Sequence, residues 1–241
     1  MNVIIPMAGL GLRLTKHGYK EPKPLVQILG RPIVEWAIET IGNEGNFIFC
    51  CNKKHIKEYE LEKILKKKVP SCKIISIDHQ TEGTAETILE AKNLIDNDEE
   101  LFISDSDHYI QWNKTQFNEK IRTQLIDACV FVFPENQNSK DYSYVKVNDE
   151  GFVKESAEKI PISKTACAGM HYFRRGSDFV KYAEIMIKNN HRFNNEFYVT
   201  PVYNELVQAG KKIITFPILK KWALGSKEEI NQFLSSPPNS N

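Results

Sequence analysis

The chain has 241 residues, 41% hydrophobic and 26% charged, the composition of an ordinary globular protein with one large domain or two small ones. Its 32 Lys plus Arg against 31 Asp plus Glu leave a formal net charge of +1, so no global field draws nucleic acid or an anionic membrane. No apolar run approaches the roughly 18 to 20 residues of a membrane-spanning helix, and the N-terminus enters a strand-like run without the features of a signal peptide, so the expectation is a cytoplasmic protein with neither kind of partner.

In chain order, Val3–Met7 has the apolar continuity of a buried strand, and Ile33, Val34, Ala37, Ile38 and Ile41 have helical spacing over Ile33–Ile41. Phe47–Cys51 is a second strand, followed by a lysine-rich helix expected over His55–Lys67, whose Lys63–Lys68 run is a solvated face. Lys73–Ile77 is a third strand. A helix over Ala85–Ile95 would turn Ile88, Leu89, Ala91, Leu94 and Ile95 inward. Leu101–Ser104 and Ala128–Phe133 complete a strand–helix alternation that implies right-handed crossovers and a largely parallel sheet covered on both faces. The second half changes character. Tyr144–Val147, the turn Asn148-Asp149-Glu150-Gly151 and Phe152–Lys154 have the pattern of an antiparallel hairpin. A strand over Ala166–Phe173, helices over Asp178–Lys188 and Val202–Ala209, and a strand over Ile213–Ile218 follow. Ser226 is placed to cap a closing helix, Lys227–Leu234, and the tail Ser235–Asn241 is expected to be disordered. The expectation is one α/β domain over 1–234, with a first half to about 127 and a second half of different character from 128.

The five cysteines (Cys50, Cys51, Cys72, Cys129, Cys167) show no CxxC spacing. Three of them sit in apolar runs, where cysteine packs as a small hydrophobe. His17, His79, His108 and His171 form no HxH or HExxH pattern, and no serine or cysteine has a nucleophile-elbow context, so neither a triad nor a zinc site is expected.

Chemistry is suggested by three loops. After the first strand comes Gly9-Leu10-Gly11-Leu12-Arg13, and ten residues beyond Arg13 stands Pro22-Lys23-Pro24. A GxG turn lets backbone N–H groups approach an anion closely, but a dinucleotide fingerprint needs a third glycine where Leu14 stands, and no Walker Gly-Lys-Ser/Thr is present. Two prolines hold an extended segment that aims Lys23. An aimed ammonium and the Arg13 guanidinium beside a glycine nest suit a polyphosphate; two solvated cations on a surface loop are the bland alternative. Asp105-Ser106-Asp107 ends a buried strand, at the sheet edge where the glycine loop also lies. Two carboxylates there suit Mg²⁺, or else make a turn. Gln80-Thr81-Glu82-Gly83-Thr84-Ala85 is a third strand-to-helix turn, with Thr84 as a candidate cap.

Together these motifs resemble the nucleoside-diphosphate-sugar pyrophosphorylase (sugar-phosphate nucleotidyltransferase) family in its short single-domain form. Its G-x-G-x-R and P-K-P elements appear as Gly9-x-Gly11-x-Arg13 and Pro22-Lys23-Pro24. "TEGTAETI" resembles its G-T-A turn, "LFISDSD" its metal-binding strand end, "KESAEKIPISKTACAGMHYF" its later acceptor-facing elements, and "WALGSKEEINQFL" its closing segment. The resemblance implies a GT-A-like, Rossmann-like three-layer α/β/α fold with a mixed, mostly parallel sheet and a small antiparallel elaboration. It implies a Mg²⁺-dependent enzyme joining an NTP to a phosphorylated acceptor, a sugar 1-phosphate first, with release of pyrophosphate, for cell-surface polysaccharides such as capsule or lipopolysaccharide. Met7, Ala8, Gly9, Gly11 and Arg13 would hold the triphosphate, and Gly83 and Thr84 the nucleoside. Arg13, Lys23 and Asp107 would be catalytic, with Lys23 bridging the α-phosphate and the incoming phosphate and Asp107 carrying Mg²⁺. Glu158, Lys159, Gly169, Glu196 and Gly225 would face the acceptor.

The chain departs from the family pattern in places. E-K-P is here Glu158-Lys159-Ile160, and Pro201 stands where the family carries its second metal carboxylate, so Asp105 or Glu196 supplies that ligand or Asp107 suffices. Other readings stay open: a cytidylyltransferase for a non-sugar phosphate such as phosphocholine or a phosphorylated amino-acid derivative, a GT-A glycosyltransferase, or a non-catalytic nucleotide-binding subunit. The base is open among cytidine, uridine, thymidine and guanosine, with the short form leaning to CTP. The resemblance leaves room for a homo-oligomer.

Overall fold

The computed structural model describes residues 1–9, 11–42 and 44–238. Leu10 of the glycine loop, Asn43 and 239–241, the end of the tail expected to be disordered, lie outside the described residues. The strands are β1 (Asn2–Met7), β2 (Gln27–Ile28), β3 (Arg31–Pro32), β4 (Asn46–Asn52), β5 (Lys73–Ile77), β6 (Leu101–Ser104), β7 (His108–Gln111), β8 (Ala128–Pro134), β9 (Ser143–Val147), β10 (Val153–Glu158), β11 (Thr165–Phe173), β12 (Ile213–Pro217) and β13 (Lys220–Ala223). The helices are α1 (Leu12–Thr15), α2 (Ile33–Ile41), α3 (Lys53–Glu58), α4 (Leu61–Lys68), α5 (Thr84–Leu89), α6 (Lys92–Ile95), α7 (Lys114–Thr123), α8 (Gly176–Lys188), α9 (Val202–Gln208) and α10 (Lys227–Ser235).

Alternation along β1 builds the layers. Val3, Ile5 and Met7 face one core with Val34 and Ile38 of α2, Leu61 and Leu65 of α4 and Phe117 of α7. Ile4 faces the other core, with Ile88, Ile95, Phe179 and Leu206 of α5, α6, α8 and α9. Val3, Ile4 and Ile5 are all fully buried, each contributing about 1.5–3 kcal/mol relative to exposure. A strand covered on both sides is what its unbroken apolar run requires.

The main sheet has nine strands in the order β10-β9-β11-β6-β1-β4-β5, with β8 paired to β11 and β12. Pairing is parallel from β6 through β1 and β4 to β5, and antiparallel at β11. This is the Rossmann-like α/β fold with a mixed, mostly parallel sheet, as expected. Because β1 and β6 are parallel neighbours, the glycine loop and the Asp105–Asp107 turn leave the sheet at one edge. A register shift in β11 between Cys167 and His171 brackets Gly169, and such bulges bend a strand and re-aim what it carries.

The hairpin forms as expected, its turn closed by Asn148, whose side chain accepts from Glu150 and Phe152 N–H. Ser226 caps α10, accepting from the Glu229 N–H at 3.3 Å; the helix runs one residue into the expected tail.

Elsewhere the structure differs from the pattern. The helix expected over His55–Lys67 is two helices, broken at Glu60 with φ 48°. The step from Ile56 to Leu61 is five residues, out of phase with one helical stripe. The helix over Ala85–Ile95 also splits, with a turn at Glu90–Ala91, while its inward residues stay in the core. Thr84 is not the cap of α5 but its first residue, after Gly83. Pro22 is extended, but Lys23–Leu25 forms a 3₁₀ turn instead of continuing the extension. The α7 helix gave no periodic signal because Phe117 is its one buried residue. The β7–β13 ribbon was missed because each strand has four residues, too few for alternation to show.

Among the described residues, no helix is long and apolar enough to cross a membrane.

Candidate active site

Asp107 is the centre of the candidate site. The Lys23 ammonium lies 2.9 Å from its Oδ2, and Arg13 Nη2 lies 3.9 Å from the same oxygen. Three separate stretches are thus joined at one carboxylate: the glycine loop, the Pro-Lys-Pro turn and the end of β6. Gly11 lets the first two meet, since its φ is +63° and a Cβ there would stand 3.0 Å from Lys23 Cβ. Burial opposes the Asp107 charge, but the Lys23 ammonium and its hydrogen bond hold the carboxyl well below its ordinary range.

Asp105 has the opposite environment. Burial and the Asp107 charge push its carboxyl up to about 7, against the pull of Lys221 and Lys23. Its backbone N–H is tied to the Gly169 carbonyl at 2.9 Å. Gly169, at φ +83°, lies so close that a Cβ would collide with the Asp105 carboxylate, and at Gly225 a Cβ would stand 2.5 Å from Asp107 Oδ2. Both acids therefore sit against bare backbone. Asp105, Asp107 and His108 offer ligand atoms within 4.8 Å of one another. Two carboxylate oxygens held together, one with its charge resisted by burial, form a donor set that fits a hard divalent cation. Among the described residues, Asp105 belongs to this cluster with Asp107 and Glu196 does not. His108 is buried, its Nε2 lies 3.1 Å from Ser104 Oγ, and desolvation together with Lys221 brings its imidazole down to about 3.

The remaining expected residues fall into two groups. Met7 ends β1 with its side chain in the core, so only its backbone is free to face a ligand, and Ala8 and Gly9 follow directly. Gly83 and Thr84 begin α5 against the Glu196–Tyr198 segment: Phe197 N–H donates to the Glu82 carbonyl at 2.7 Å, and Ala85 N–H to the Phe197 carbonyl at 2.9 Å. On the acceptor side, Glu158 is buried at the end of β10, accepts from the Ser143 hydroxyl, and is raised by burial. Lys159, at φ 54°, donates to the Tyr198 hydroxyl at 2.7 Å. Burial and a hydrogen bond to Glu196 raise Tyr198, and Arg13 opposes this. Glu158, Lys159 and Glu196 therefore gather around Tyr198, within electrostatic reach of Arg13. Pro201 stands at the N-cap of α9.

The sequence reading missed His108, Tyr198 and Lys221. The adjacency of His108 to Asp107 was a local signal. Lys221 reaches the site only through the β7–β13 ribbon, for which there was none. Two concavities lie elsewhere, 370 Å³ beside Arg122 and Arg174 and 510 Å³ along β5.

Comparisons with known proteins identify the family. The family model for nucleotidyl transferases matches residues 2–228. A bifunctional protein GlmU of Methanocaldococcus jannaschii is 27% identical over 215 residues, 88% of this chain and 48% of that protein. A bifunctional sugar-1-phosphate nucleotidylyltransferase/acetyltransferase of Sulfurisphaera tokodaii is 30% identical over 188 residues, 76% of this chain and 43% of that one. The chain thus spans less than half the length of these curated relatives. The solved nucleoside-diphosphate-sugar pyrophosphorylase of Vibrio cholerae RC9 superposes with a TM-score of 0.81 at 23% identity, over 97% of this chain and 100% of that chain, a likeness of fold. With the strand-end acids, the glycine loop and the aimed lysine converging inside a match that covers nearly the whole sequence, the chain belongs to the nucleotidyl transferase family.

Proposed function

We propose that the chain joins a nucleoside triphosphate to a phosphorylated acceptor, a sugar 1-phosphate in the first instance, giving a nucleoside-diphosphate-linked product and pyrophosphate. The observation that carries this reading is the Lys23–Asp107 pair at 2.9 Å, with Arg13 on the same oxygen and Asp105 alongside. An acceptor phosphate oxygen attacks the α-phosphorus, one P–O bond forms, and the bond to the departing pyrophosphate breaks. A phosphate monoester is already ionised near neutral pH, so the step needs no general base, in keeping with a site whose imidazole is buried and held neutral. The protein's work is to hold two polyanions together and disperse charge as the bond order changes. Arg13 and Lys23 would grip the triphosphate, the Gly83–Thr84 turn would lie under the nucleoside, and Glu158, Lys159, Gly169 and Glu196 would form the acceptor wall. Asp107 and Asp105 would hold Mg²⁺, which when bound supplies positive charge to phosphate oxygens.

The test is a grid of CTP, UTP, dTTP and GTP against hexose 1-phosphates, phosphocholine and phosphorylated amino-acid derivatives, read by pyrophosphate release with Mg²⁺ and with chelator. Turnover with one pair, lost on chelation, is expected. Hydrolysis or transfer from a nucleotide sugar without pyrophosphate would instead make this a glycosyltransferase. Silence across the grid, with nucleotide still bound, would favour the non-catalytic reading.

A further inference from the structure

Two adjacent lysines in β13 have opposite fates. Lys220 is exposed, with its Nζ 4.4 Å from the Trp222 ring centroid. Lys221 points the other way. Its backbone pairs with Ile110 of β7, three residues beyond Asp107, and Leu224 N–H holds the Asp107 carbonyl at 2.8 Å. The Lys221 ammonium is therefore carried over the sheet edge, 5.8 Å from the Phe133 ring centroid and 5.5 Å from that of Tyr142. These rings meet edge-on at 5.1 Å and belong to β8 and the segment before β9, on the acceptor side of the sheet. Asp105, Asp107 and His108 all feel the Lys221 charge.

What Lys221 lacks is a partner of its own. Lys23 has Asp107 and Lys159 has the Tyr198 hydroxyl. Among the described residues, no carboxylate lies within ion-pair distance of Lys221 Nζ, which instead lies against the two rings. The ammonium of a partly buried lysine is costly to hold without an anion, and two ring faces at that range return only about 0.5–1 kcal/mol each. A cation placed over the acceptor side and left unpaired by the protein is suited to an anion that arrives with the substrate.

We propose that Lys221 is an acceptor-binding residue whose ammonium takes an anionic oxygen of the phosphorylated acceptor, with the Phe133 and Tyr142 rings flanking the bound group. This rests on the nucleotidyltransferase reading above and adds the residue that selects the acceptor's charged end. It divides the cations of the site by substrate, Arg13 and Lys23 for the nucleotide and Lys221, with Lys159, for the acceptor.

The full chain is titrated calorimetrically with glucose 1-phosphate and inorganic phosphate as acceptor-side probes, and with CTP and UTP as nucleotide probes. Lys221→Met keeps the aliphatic stem against the rings while removing the charge, Lys221→Arg restores the charge, and Lys220→Met is the exposed control. Lys221→Met should weaken the two acceptor-side probes by about tenfold or more, the loss expected for one charged hydrogen bond. Nucleotide affinity should change less than about twofold, Lys221→Arg should recover most of the loss, and Lys220→Met should match the wild type. Unchanged phosphate affinity in Lys221→Met, an equal loss for nucleotide, or no phosphate binding by the wild type would each overturn the proposal. If no NTP–acceptor pair releases pyrophosphate while phosphate binding still depends on Lys221, the catalytic reading fails and this assignment stands.

Discussion

Replacing Lys23 with methionine removes the charge and keeps the stem that packs on Gly11. Lys23 is 24% exposed and Asp107 19%, with 2.9 Å between the charged atoms. In the folded protein the change leaves Asp107 with Arg13 as its near cation, at 3.9 Å and 68% exposed, too solvated to compensate. A charged hydrogen bond of this kind contributes about 1.5–3 kcal/mol, and the partial exposure of both groups puts the expected loss of stability at the low end, about 1–2 kcal/mol. Turnover should fall further. If Lys23 meets charge developing on the phosphates, its removal costs about 10²- to 10³-fold in kcat, the range for one preorganised electrostatic donor. The assay pairs pyrophosphate release at saturating substrates with urea denaturation, so that lost activity is corrected for lost folded protein. A kcat within tenfold of wild type, or a decline that tracks the unfolded fraction, would refute the reasoning and leave Lys23 a structural partner of Asp107.

Gly225→Ala puts a Cβ 2.5 Å from Asp107 Oδ2 and 3.0 Å from Arg13 Nη2, so turnover should drop at least about tenfold while the melting temperature moves by only a few degrees; unaltered kinetics would mean that the acid and arginine shift freely. Burial, aided by the Lys221 charge, holds the His171 imidazole down at about 3. The Tyr203 hydroxyl donates to the Cys129 carbonyl and so accepts from His171 Nδ1–H at 3.0 Å. Below about pH 6.5 the unfolded chain takes up a proton that the folded one refuses. Stability should therefore fall as pH drops toward 3, by up to about 1.4 kcal/mol per pH unit from this group, and denaturation curves of His171→Gln should show a shallower slope; an equal slope would place the dependence elsewhere.

Which parts of this were legible beforehand follows from how locally each is encoded. Val3–Met7 and Leu101–Ser104 announce themselves because a strand buried on both faces must be apolar throughout. The edge where Arg13, Lys23 and Asp107 meet was legible for the same reason: parallel neighbours bring their following loops together. Lys221 was illegible because its position depends on a ribbon of two four-residue strands that no periodicity marks. The 3₁₀ turn at Lys23 was hidden by the general preference of a residue before proline for extended backbone, here overridden as Leu25 N–H closes onto the Pro22 carbonyl at 2.8 Å. The break at Glu60 was visible in principle, in the five-residue step between Ile56 and Leu61, but the lysine run masked it.

Asp105 shows how the site is held against the interest of the fold. Its carboxylate accepts no hydrogen bond from the described residues, it sits against Gly169, and its ligand atom lies within 4.8 Å of one from Asp107. Two like charges at that separation repel by about 3 kcal/mol at an effective dielectric near 20, and Lys23 and Lys221 cancel part of it. Asp105→Asn keeps the shape and removes the repulsion, so metal-free protein should become more stable, by about 1–2 kcal/mol. With Mg²⁺ present the order should reverse: the wild type gains stability from the bound cation by mass action, and the variant, one ligand short, gains little. Denaturation of both proteins in chelator and across a Mg²⁺ series measures this directly. If Asp105→Asn is destabilised equally in chelator and in Mg²⁺, the carboxylate is an ordinary structural group and the cation site must be sought elsewhere.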